Sequence, residues 1–249
     1  MTRGVNPLRK QTAIGVAAAV LIVVAGAAGA YAYFFSGLRA SPKPLALSSP
    51  AAAPAATSAA PAGSELSGRW TVTQGSQVGY RVKEQFVGET STHEAVARTS
   101  GVTGGFTVQQ DSSGWVASTI RFSAQLGGLQ SVDQVLGRNV SQRDFFVSRT
   151  LAVQQYPDAT FQAPSVTVPA TLESGGTVEV TVPGQLTIHG TTRNADATVQ
   201  LRLVGSQVQA AGSTAVTMTD FGITPPQVPF TTSDSHVTIE FQLVLVKGS

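Results

Sequence analysis

The larger, C-terminal part of the chain predicts an all-β fold, and three observations indicate that its antiparallel strands close into a barrel. Apolar side chains alternate with polar ones over long runs, which is the period of a strand with one buried face. Turn-forming residues separate these runs, and the runs are about ten residues long. Long antiparallel strands with one apolar face fit a closed barrel, which also leaves no exposed edge.

The residues before this domain divide into three predicted segments. Residues 1–12 are basic, residues 13–35 are apolar and uncharged, and residues 36–66 are rich in Ala, Pro and Ser. The apolar segment would span roughly 34 Å as a helix, and a bilayer core is about 30 Å thick. Basic residues precede the segment and aromatic residues crowd its far end. This pattern predicts a single-pass membrane anchor with the N-terminus in the cytoplasm.

A cleaved signal peptide is the alternative to an anchor. Ala28-Gly29-Ala30 has the small-x-small form of a cleavage site, and cleavage there would release a secreted protein. We expect the segment to be retained, because its apolar run is longer than a usual signal-peptide core. Residues 36–66 have little to bury and predict a disordered linker. The linker would hold the folded domain, residues 67–249, outside the cytoplasm in the cell envelope or periplasm.

The charge and cysteine content exclude some classes of function. The chain has 16 Lys and Arg against 14 Asp and Glu. Five of the basic residues lie in residues 1–43, where there is no acid, so the chain from Ser67 onward is slightly acidic. A nucleic-acid partner therefore has no electrostatic basis. The chain has no Cys, which excludes disulfides, thiol chemistry and a lipid-modified cysteine.

The predicted strands follow one another with turn sequences at 111–114, 173–176, 204–207 and 224–229. Each strand has an apolar face of period two, although Glu84 interrupts the first of them. The faces are formed by Val78, Tyr80, Val82 and Phe86; by Val116, Ile120 and Phe122; by alternate residues of 178–188; by Ala197, Val199, Leu201 and Leu203; and by Val237, Ile239, Phe241, Leu243 and Leu245.

Residues 131–150 interrupt this strand pattern. Ser131 with Gln134, and Ser141 with Asp144, have the spacing of helix capping boxes, so the segment predicts one or two short helices. The paired rings of Phe145 and Phe146 admit two interpretations. They pack in the core, or the helix is a lid on the barrel and one ring faces an internal cavity.

Five segments in order resemble the YceI-like family: WTVTQGSQVGYRVKEQF (70–86), VTGGF (102–106), RDFFV…YPDATF (143–161), GQLTIHGTTRNADATVQ (184–200) and MTDFGITPP…SDSHVTIEFQLVL (218–245). The resemblance implies a bacterial extracytoplasmic protein that binds polyisoprenoid lipids. It implies an extended, lipocalin-like antiparallel β-barrel whose apolar interior holds a long isoprenoid chain. Simple members of the family are soluble and secreted, whereas this chain is predicted to be tethered.

A lipid in the barrel would contact aromatic side chains of the strands and of the helix. An isoprenoid chain requires only apolar area, at about 25 cal/mol per Å² buried. We expect Gly79, Gly104 and Gly184 to leave room for it. The lipid would be a polyprenol, a polyprenyl phosphate or a quinone. The predicted ligand-binding residues are Tyr80, Phe86, Phe106, Phe122, Phe145, Phe146, Phe161 and Phe241.

The sequence predicts no enzyme, cofactor or metal site. His93, His189 and His236 have no metal-ligand spacing, and the chain has no G-x-S-x-G elbow or glycine-rich phosphate loop. We expect His189 and His236 to face solvent or to lie at the rim of the barrel. Two alternatives stay open: a solid-cored surface barrel for adhesion or protein interaction, and an enzyme acting on a lipid head group. The second would use residues at the barrel mouth, chosen from His189, Arg143, Asp144 and Asp220.

Overall fold

The computed structural model describes residues 21–31, 39–48, 66–112, 114–135, 137–228 and 231–248. The chain divides into two compact units, which are Met1–Ala40 with Gln134–Asn139, and Ser41–Asp133 with Val140–Ser249.

In the first unit, residues 21–31 form helix α1, and strand β1 (Arg39–Ala40) pairs antiparallel with β8 (Gln134–Val135). Within the described part of the chain, no helix is both long enough and apolar enough to cross a bilayer. The predicted anchor at residues 13–35 extends on both sides of α1 into residues that lie outside the described ones. The retained anchor therefore stays a prediction.

The second unit consists mainly of long antiparallel strands, as predicted. Its helices are α2 (Gln142–Thr150) and the short 3-10 helices Leu126–Gly128, Ala170–Leu172 and Met218–Phe221. Its strands are β2 (Gly68–Val72), β3 (Gln77–Phe86), β4 (Thr92–Thr99), β5 (Val102–Asp111), β6 (Gly114–Gln125), β7 (Gln130–Ser131), β9 (Asp158–Val168), β10 (Val178–Ile188), β11 (Thr191–Val204), β12 (Gln207–Thr217), β13 (Gln227–Val228) and β14 (Thr231–Lys247).

Eight of these strands close into a barrel. The antiparallel pairings run from β14 through β2, β5, β6, β9, β10, β11 and β12 and return to β14. The long strand β14 pairs with β2 near its end and with β3 along the rest of the same edge, and β4 and β7 continue from β3. The predicted antiparallel barrel is confirmed. The buried rings of Trp70 and Trp115 and the side chain of Leu245 are part of its apolar core.

The inward face of β6 changes partway along the strand. Trp115 and Ala117 are buried, and the next buried residue is Ile120 rather than residue 119. Thr119 has φ of 51°, the left-handed conformation, which rotates the strand by one position. Val116 therefore lies on the face opposite Ile120, and the prediction that they share a face is wrong. Strict period two cannot reveal such a bulge.

The prediction of a helix beginning at Ser131 is wrong, whereas the later helix exists. Ser131 lies in β7, and Gln134 lies in β8. Ser141 precedes α2, but its side chain makes no capping hydrogen bond. Asp144 instead accepts hydrogen bonds from the backbone N–H and the hydroxyl of Ser131, at 2.9 and 2.7 Å. The carboxylate thus ties α2 to β7, a long-range contact that replaces the local cap.

Residues 41–48 lie on the outer surface of the barrel. Arg81 and Arg98 donate hydrogen bonds to backbone carbonyls of this segment, at 2.5 and 2.7 Å. The backbone N–H of Leu45 donates to Glu240 at 3.1 Å. Glu240 is buried and also forms ion pairs with both arginines, at 2.6 and 2.9 Å. The segment thus completes the hydrogen bonding of a buried charged group.

The predicted disordered linker at residues 36–66 is therefore wrong for residues 41–48. The prediction considered only side chains, and this segment is held mainly through its backbone groups, which composition does not reveal. Residues 36–38 and 49–65 lie outside the described residues, so the prediction is untested there.

Candidate functional site

A cavity of about 160 Å³ lies inside the barrel. Its lining is apolar apart from Ser123, Thr160 and Thr214, and no charged side chain of the described residues lines it. Of the predicted ligand-binding residues, Phe106, Phe122, Phe161 and Phe241 line the cavity. These four come from β5, β6, β9 and β14, so the closure of the barrel brings together rings that are far apart in sequence.

Tyr80 and Phe86 lie farther along β3 and do not line the cavity. Tyr80 is paired with Ile239, which does line it. Burial raises the pKa of the Tyr80 phenol above its usual range, because the ionised form is poorly solvated. Phe86 is buried and stacks on His93, with ring centroids 6.2 Å apart. Contact of either residue with a lipid stays a prediction.

Phe145 and Phe146 lie on the outward surface of α2. Their side chains are 61% and 37% exposed. The rings meet edge to face at 5.8 Å, and the guanidinium of Arg149 lies 5.6 Å from the Phe145 ring centre. This exposure shows that the interpretation of both rings as ordinary core residues is wrong. Neither ring lines the cavity inside the barrel, although the lid interpretation expects this of one of them. The lid interpretation stays a prediction.

The prediction that three glycines leave room for a ligand is wrong. A Cβ at Gly79 would overlap the carbonyl oxygen of Ala97, and one at Gly104 would overlap that of Arg121. A Cβ at Gly184 would overlap the ring of Phe161. These glycines allow close approach of neighbouring strands and of one aromatic ring, and they do not widen the cavity.

A buried cluster of charged and polar side chains lies beyond Tyr80 on the inward face of β3. It consists of Glu84, His93, Asp133 and Arg143. His93 Nε2 lies 2.6 Å from Asp133 Oδ2, and Arg143 Nη1 donates to Asp133 Oδ1 at 2.7 Å. Arg143 also binds Glu84, with Nε 3.0 Å from Oε1. The N–H of Val96 donates to Asp133 at 3.1 Å. Arg143 thereby connects α2 to the barrel.

The two carboxyls of this cluster have opposite pKa shifts. Burial raises the pKa of Glu84, and the charge of Arg143 only partly opposes it. Burial also disfavours the ionised form of Asp133. This effect is outweighed by the hydrogen bonds from His93 and Arg143 and by the charge of Arg143, so the pKa of Asp133 is held below its usual range. The pKa of Arg143 is raised, because its bonds to Asp133 and the charge of Glu84 outweigh its burial. The cluster is an internally paired network.

Of the remaining residues predicted for the barrel mouth, His189 lies near Asp220, because His189 Nδ1 is 3.4 Å from the carbonyl oxygen of Phe221, the neighbour of Asp220. His189 lies in the turn after β10, half-buried, with its ring 5.0 Å from that of Tyr156. The side chain of His236 is 76% exposed beside Asp234, which confirms that it faces solvent. Asp220 lies in a 3-10 helix. Among the described residues, no group of three or more His, Asp or Glu side chains is arranged to hold a metal ion.

Sequence reasoning missed the buried cluster, although one signal of it was present. Glu84 occupies an inward position in a strand that is otherwise apolar on that face. A carboxylate at such a position requires a buried partner. The identity of the partner could not be predicted, since Arg143 and Asp133 reach it only after α2 and the residues before it fold against β3 and β4.

A closed antiparallel barrel around an uncharged apolar cavity is the architecture of barrels that bind small apolar ligands. The chain belongs to the YceI-like family, because the model of the YceI-like domain matches residues 70–245. The family predicted from the five sequence segments is thus confirmed. None of the curated protein sequences compared with the chain matches it.

Solved structures are similar to this chain, and the first of those named here shows a shared fold. A polyisoprenoid binding domain from Saccharophagus degradans, implicated in plant cell wall breakdown, is 15% identical with a TM-score of 0.51 and covers 72% of this chain and 98% of its own. BcnA of Burkholderia cenocepacia is 17% identical with a TM-score of 0.47, covering 68% and 95%. The Campylobacter jejuni YceI protein is 11% identical with a TM-score of 0.44, covering 61% and 85%.

Proposed function

We propose that this protein binds a polyisoprenoid or a related amphipathic lipid inside its barrel. The observation that carries the proposal is the cavity, which is closed in by apolar side chains of the barrel strands and has no charged side chain of the described residues in its lining. Membership of the YceI-like family supports it, as does the fold shared with a domain named for polyisoprenoid binding. A long hydrocarbon chain gains free energy from burying apolar area alone, at about 25 cal/mol per Å².

The size of the cavity bears on how such a lipid would bind. Its volume of about 160 Å³ is close to that of an engineered apolar cavity, about 150 Å³, that holds one benzene molecule. A chain of many isoprene units needs more space than this. We therefore infer that a long isoprenoid chain lies in this cavity and that the barrel widens when it binds.

The proposed activity is binding without catalysis. The groups of the cluster around Arg143 already pair with one another at hydrogen-bond distance, and no titratable side chain lines the cavity in the part of the chain that the structure describes. General acid–base chemistry requires a titratable group in contact with the substrate. The runner-up is a barrel that serves adhesion or protein interaction, for which the cavity would have no use.

The cellular setting is also a proposal. We place the barrel outside the cytoplasm and attach it to the cell membrane through residues 13–35. The supporting observations are the length of that apolar segment, the basic residues before it and the aromatic residues at its far end. N-terminal sequencing of the protein extracted from native membranes tests the attachment. A retained residue 13 supports the anchor, and a first residue near Tyr31 contradicts it.

Native mass spectrometry of the gently purified barrel tests lipid binding. We expect an additional mass that organic extraction releases as an isoprenoid lipid. The matched variants are Ala210→Phe, which fills the cavity, and Ala215→Phe, which adds the same ring to an exposed position of the same strand. Lipid should be lost from the first variant only. A wild-type barrel that neither retains nor takes up any isoprenoid would favour the interaction domain instead.

A further inference from the structure

The wall of the barrel has a break between β9 and β10. The two strands pair only where Thr160–Gln162 lies beside Gln185–Thr187. Both strands are described over their full length, yet residues 163–168 and 178–184 have no pairing with each other. The break is about six residues long, or roughly 20 Å at strand geometry. On its other edge, β10 pairs with β11 along its whole length.

Two prolines account for the break. Continuing the register beyond the pair of Gln162 with Gln185 brings Pro164 opposite Pro183. Neither residue has a backbone N–H, so the ladder cannot continue through this pair. The left-handed Thr119 of β6, beside Pro164 in register, bends the neighbouring strand at the same level. The break is thus specified by the sequence.

At this break, a groove outside the barrel and the cavity inside it share a lining residue. This surface groove has a volume of about 640 Å³, with both prolines and Gly184 in its lining. Ile120 lines the groove and also lines the internal cavity. A Cβ at Gly184 would overlap the ring of Phe161, which lines the cavity. The ring of Phe161 thus lies against Gly184, a lining residue of the groove, and lines the cavity on its other side.

A row of polar side chains borders the break on the outside. Arg121 is paired with Gln162, Gln162 with Gln185, and Gln185 with Asn194, so the four stand side by side across β6, β9, β10 and β11. All four line the groove. No side chain of the four makes a hydrogen bond or an ion pair with the described residues. The row therefore presents unused donors of a guanidinium and three amides.

We propose that the break between β9 and β10 is a lateral opening for the isoprenoid chain, and that the polar row holds the head group of the lipid outside the wall. This inference rests on the proposed lipid binding. The isoprenoid chain would lie in the cavity. The head group would stay in the groove, because burying it without hydrogen-bond partners costs free energy. Arg121 and the three amides select a head with hydrogen-bond acceptors, which are the oxygens of a hydroxyl, a carbonyl or a phosphate.

An engineered disulfide across the break tests the opening. The chain has no Cys, so Pro164→Cys with Pro183→Cys introduces a single defined pair. The control is Thr181→Cys with Thr198→Cys, two exposed residues paired across the intact ladder of β10 and β11. Thiol titration verifies each bond. We expect the first disulfide to slow uptake of a polyprenol from vesicles by about tenfold or more, with reductant restoring the rate, and the control to leave it unchanged.

Equal uptake by the oxidised and reduced forms of the first variant would overturn the lateral opening. If the disulfide of the first variant does not form, the double variant Pro164→Val with Pro183→Val is used instead. Its two new backbone N–H donors allow the ladder between β9 and β10 to continue. The expected result is again slower uptake, and an unchanged rate overturns the inference.

A set of ligands with and without heads tests the polar row. Dissociation constants are measured for a polyprenol, a polyprenyl phosphate and a polyprenyl quinone of equal chain length, and for squalene, an isoprenoid without a head. Arg121→Gln should weaken the phosphate about tenfold, and Gln185→Leu should weaken the alcohol and the quinone, while squalene is unaffected. Lys83→Gln, an exposed cation outside the groove, is the control.

The lipids that lose affinity in each variant also show whether the acceptor oxygens belong to a hydroxyl, a carbonyl or a phosphate. If both variants bind every lipid that has a head group with unchanged affinity, the head-group assignment is overturned. The proposed lipid binding is not affected by that result. Equal losses for squalene and for the lipids with heads would also overturn the head-group assignment, since the effect would then arise from the fold. If the wild-type protein binds none of the four ligands, the proposed function fails, and this inference fails with it.

Discussion

The inward face of the barrel has two regions of opposite construction. In the cavity region, uncharged side chains leave about 160 Å³ unfilled. In the region beyond Tyr80, Glu84, Asp133 and Arg143 are packed at hydrogen-bond distance with His93. The same strand, β3, contributes Val78 to the first region and Glu84 to the second.

This difference between the two regions indicates which of them stabilises the fold and which can bind a ligand. A cavity costs free energy relative to a filled core, because its lining lacks contacts. A paired buried network costs desolvation but becomes strongly destabilising only when one partner is lost. Substitutions in the network should therefore act mainly on folding, whereas substitutions in the cavity should act mainly on ligand binding.

The largest effect is expected from Arg143→Met. This change keeps an apolar stem but leaves Glu84 and Asp133 without their shared cation, and a broken buried pair typically costs about 3–5 kcal/mol. Denaturant unfolding measures the loss. Arg149→Met, on the same helix but exposed, should cost at most about 1 kcal/mol. Similar losses in the two variants would contradict the view that the network holds α2 to the barrel.

Filling the cavity should separate binding from folding. Ala210 lines the cavity from β12, and Ala210→Phe places a ring in the space proposed for the lipid. We expect lipid affinity to fall at least tenfold, while the free energy of unfolding falls by no more than about 3 kcal/mol, the typical range for overpacking. Lipid titration and thermal melts on the same samples check this. Undiminished binding would mean that the lipid occupies another part of the protein.

A smaller effect is expected in the pH dependence of stability, from the opposite shifts of Glu84 and Asp133. Because the folded-state pKa of Glu84 is raised, the folded protein binds a proton before the unfolded chain does. Its contribution to stability therefore grows as the pH falls toward about 4.3. Asp133, whose pKa is lowered, contributes stability above about pH 3.9 that is lost as the pH falls further.

Unfolding free energies of the wild type, Glu84→Gln and Asp133→Asn between pH 3 and 7 test this expectation. Relative to Glu84→Gln, the wild type should gain stability on acidification from neutral pH toward the unfolded-state pKa of Glu. Relative to Asp133→Asn, it should lose stability at the acid end. Arg143, His93, Asp144 and Tyr80 also face this network, so both variants are compared with the wild type at each pH. A pH-independent difference for Glu84→Gln would contradict the raised pKa.

The sequence predicted the barrel because the period-two faces of its strands are nearly continuous from Val178 to Leu203. It also predicted four of the rings that line the cavity, since Phe106, Phe122, Phe161 and Phe241 lie in strands. Prediction failed where the backbone departs from regular geometry, as at the bulge of Thr119. It also failed where a contact joins distant residues.

The polar network and the ordered residues 41–48 are examples of such distant contacts. Arg143 is 59 positions from its partner Glu84, and Leu45 is 195 positions from Glu240. Local patterns contain no information on pairs of this kind. The break between β9 and β10 is an intermediate case. Pro164 and Pro183 are visible in the sequence, but only the register shows that they face each other.

The smallest effect on stability is expected from Phe145→Ala with Phe146→Ala, and it tests the lid. Both rings are on the outward surface of α2, so the pair should cost about 1 kcal/mol or less, in contrast to about 3–5 kcal/mol for a single core Phe. If α2 closes over a bound lipid, the double variant should still retain less lipid than the wild type at equal folded fraction. Thermal melts and extracted lipid, measured on the same preparations, check both quantities. An unchanged lipid stoichiometry would leave these rings without a role in binding and would confine the lipid to the cavity region and the break beside it.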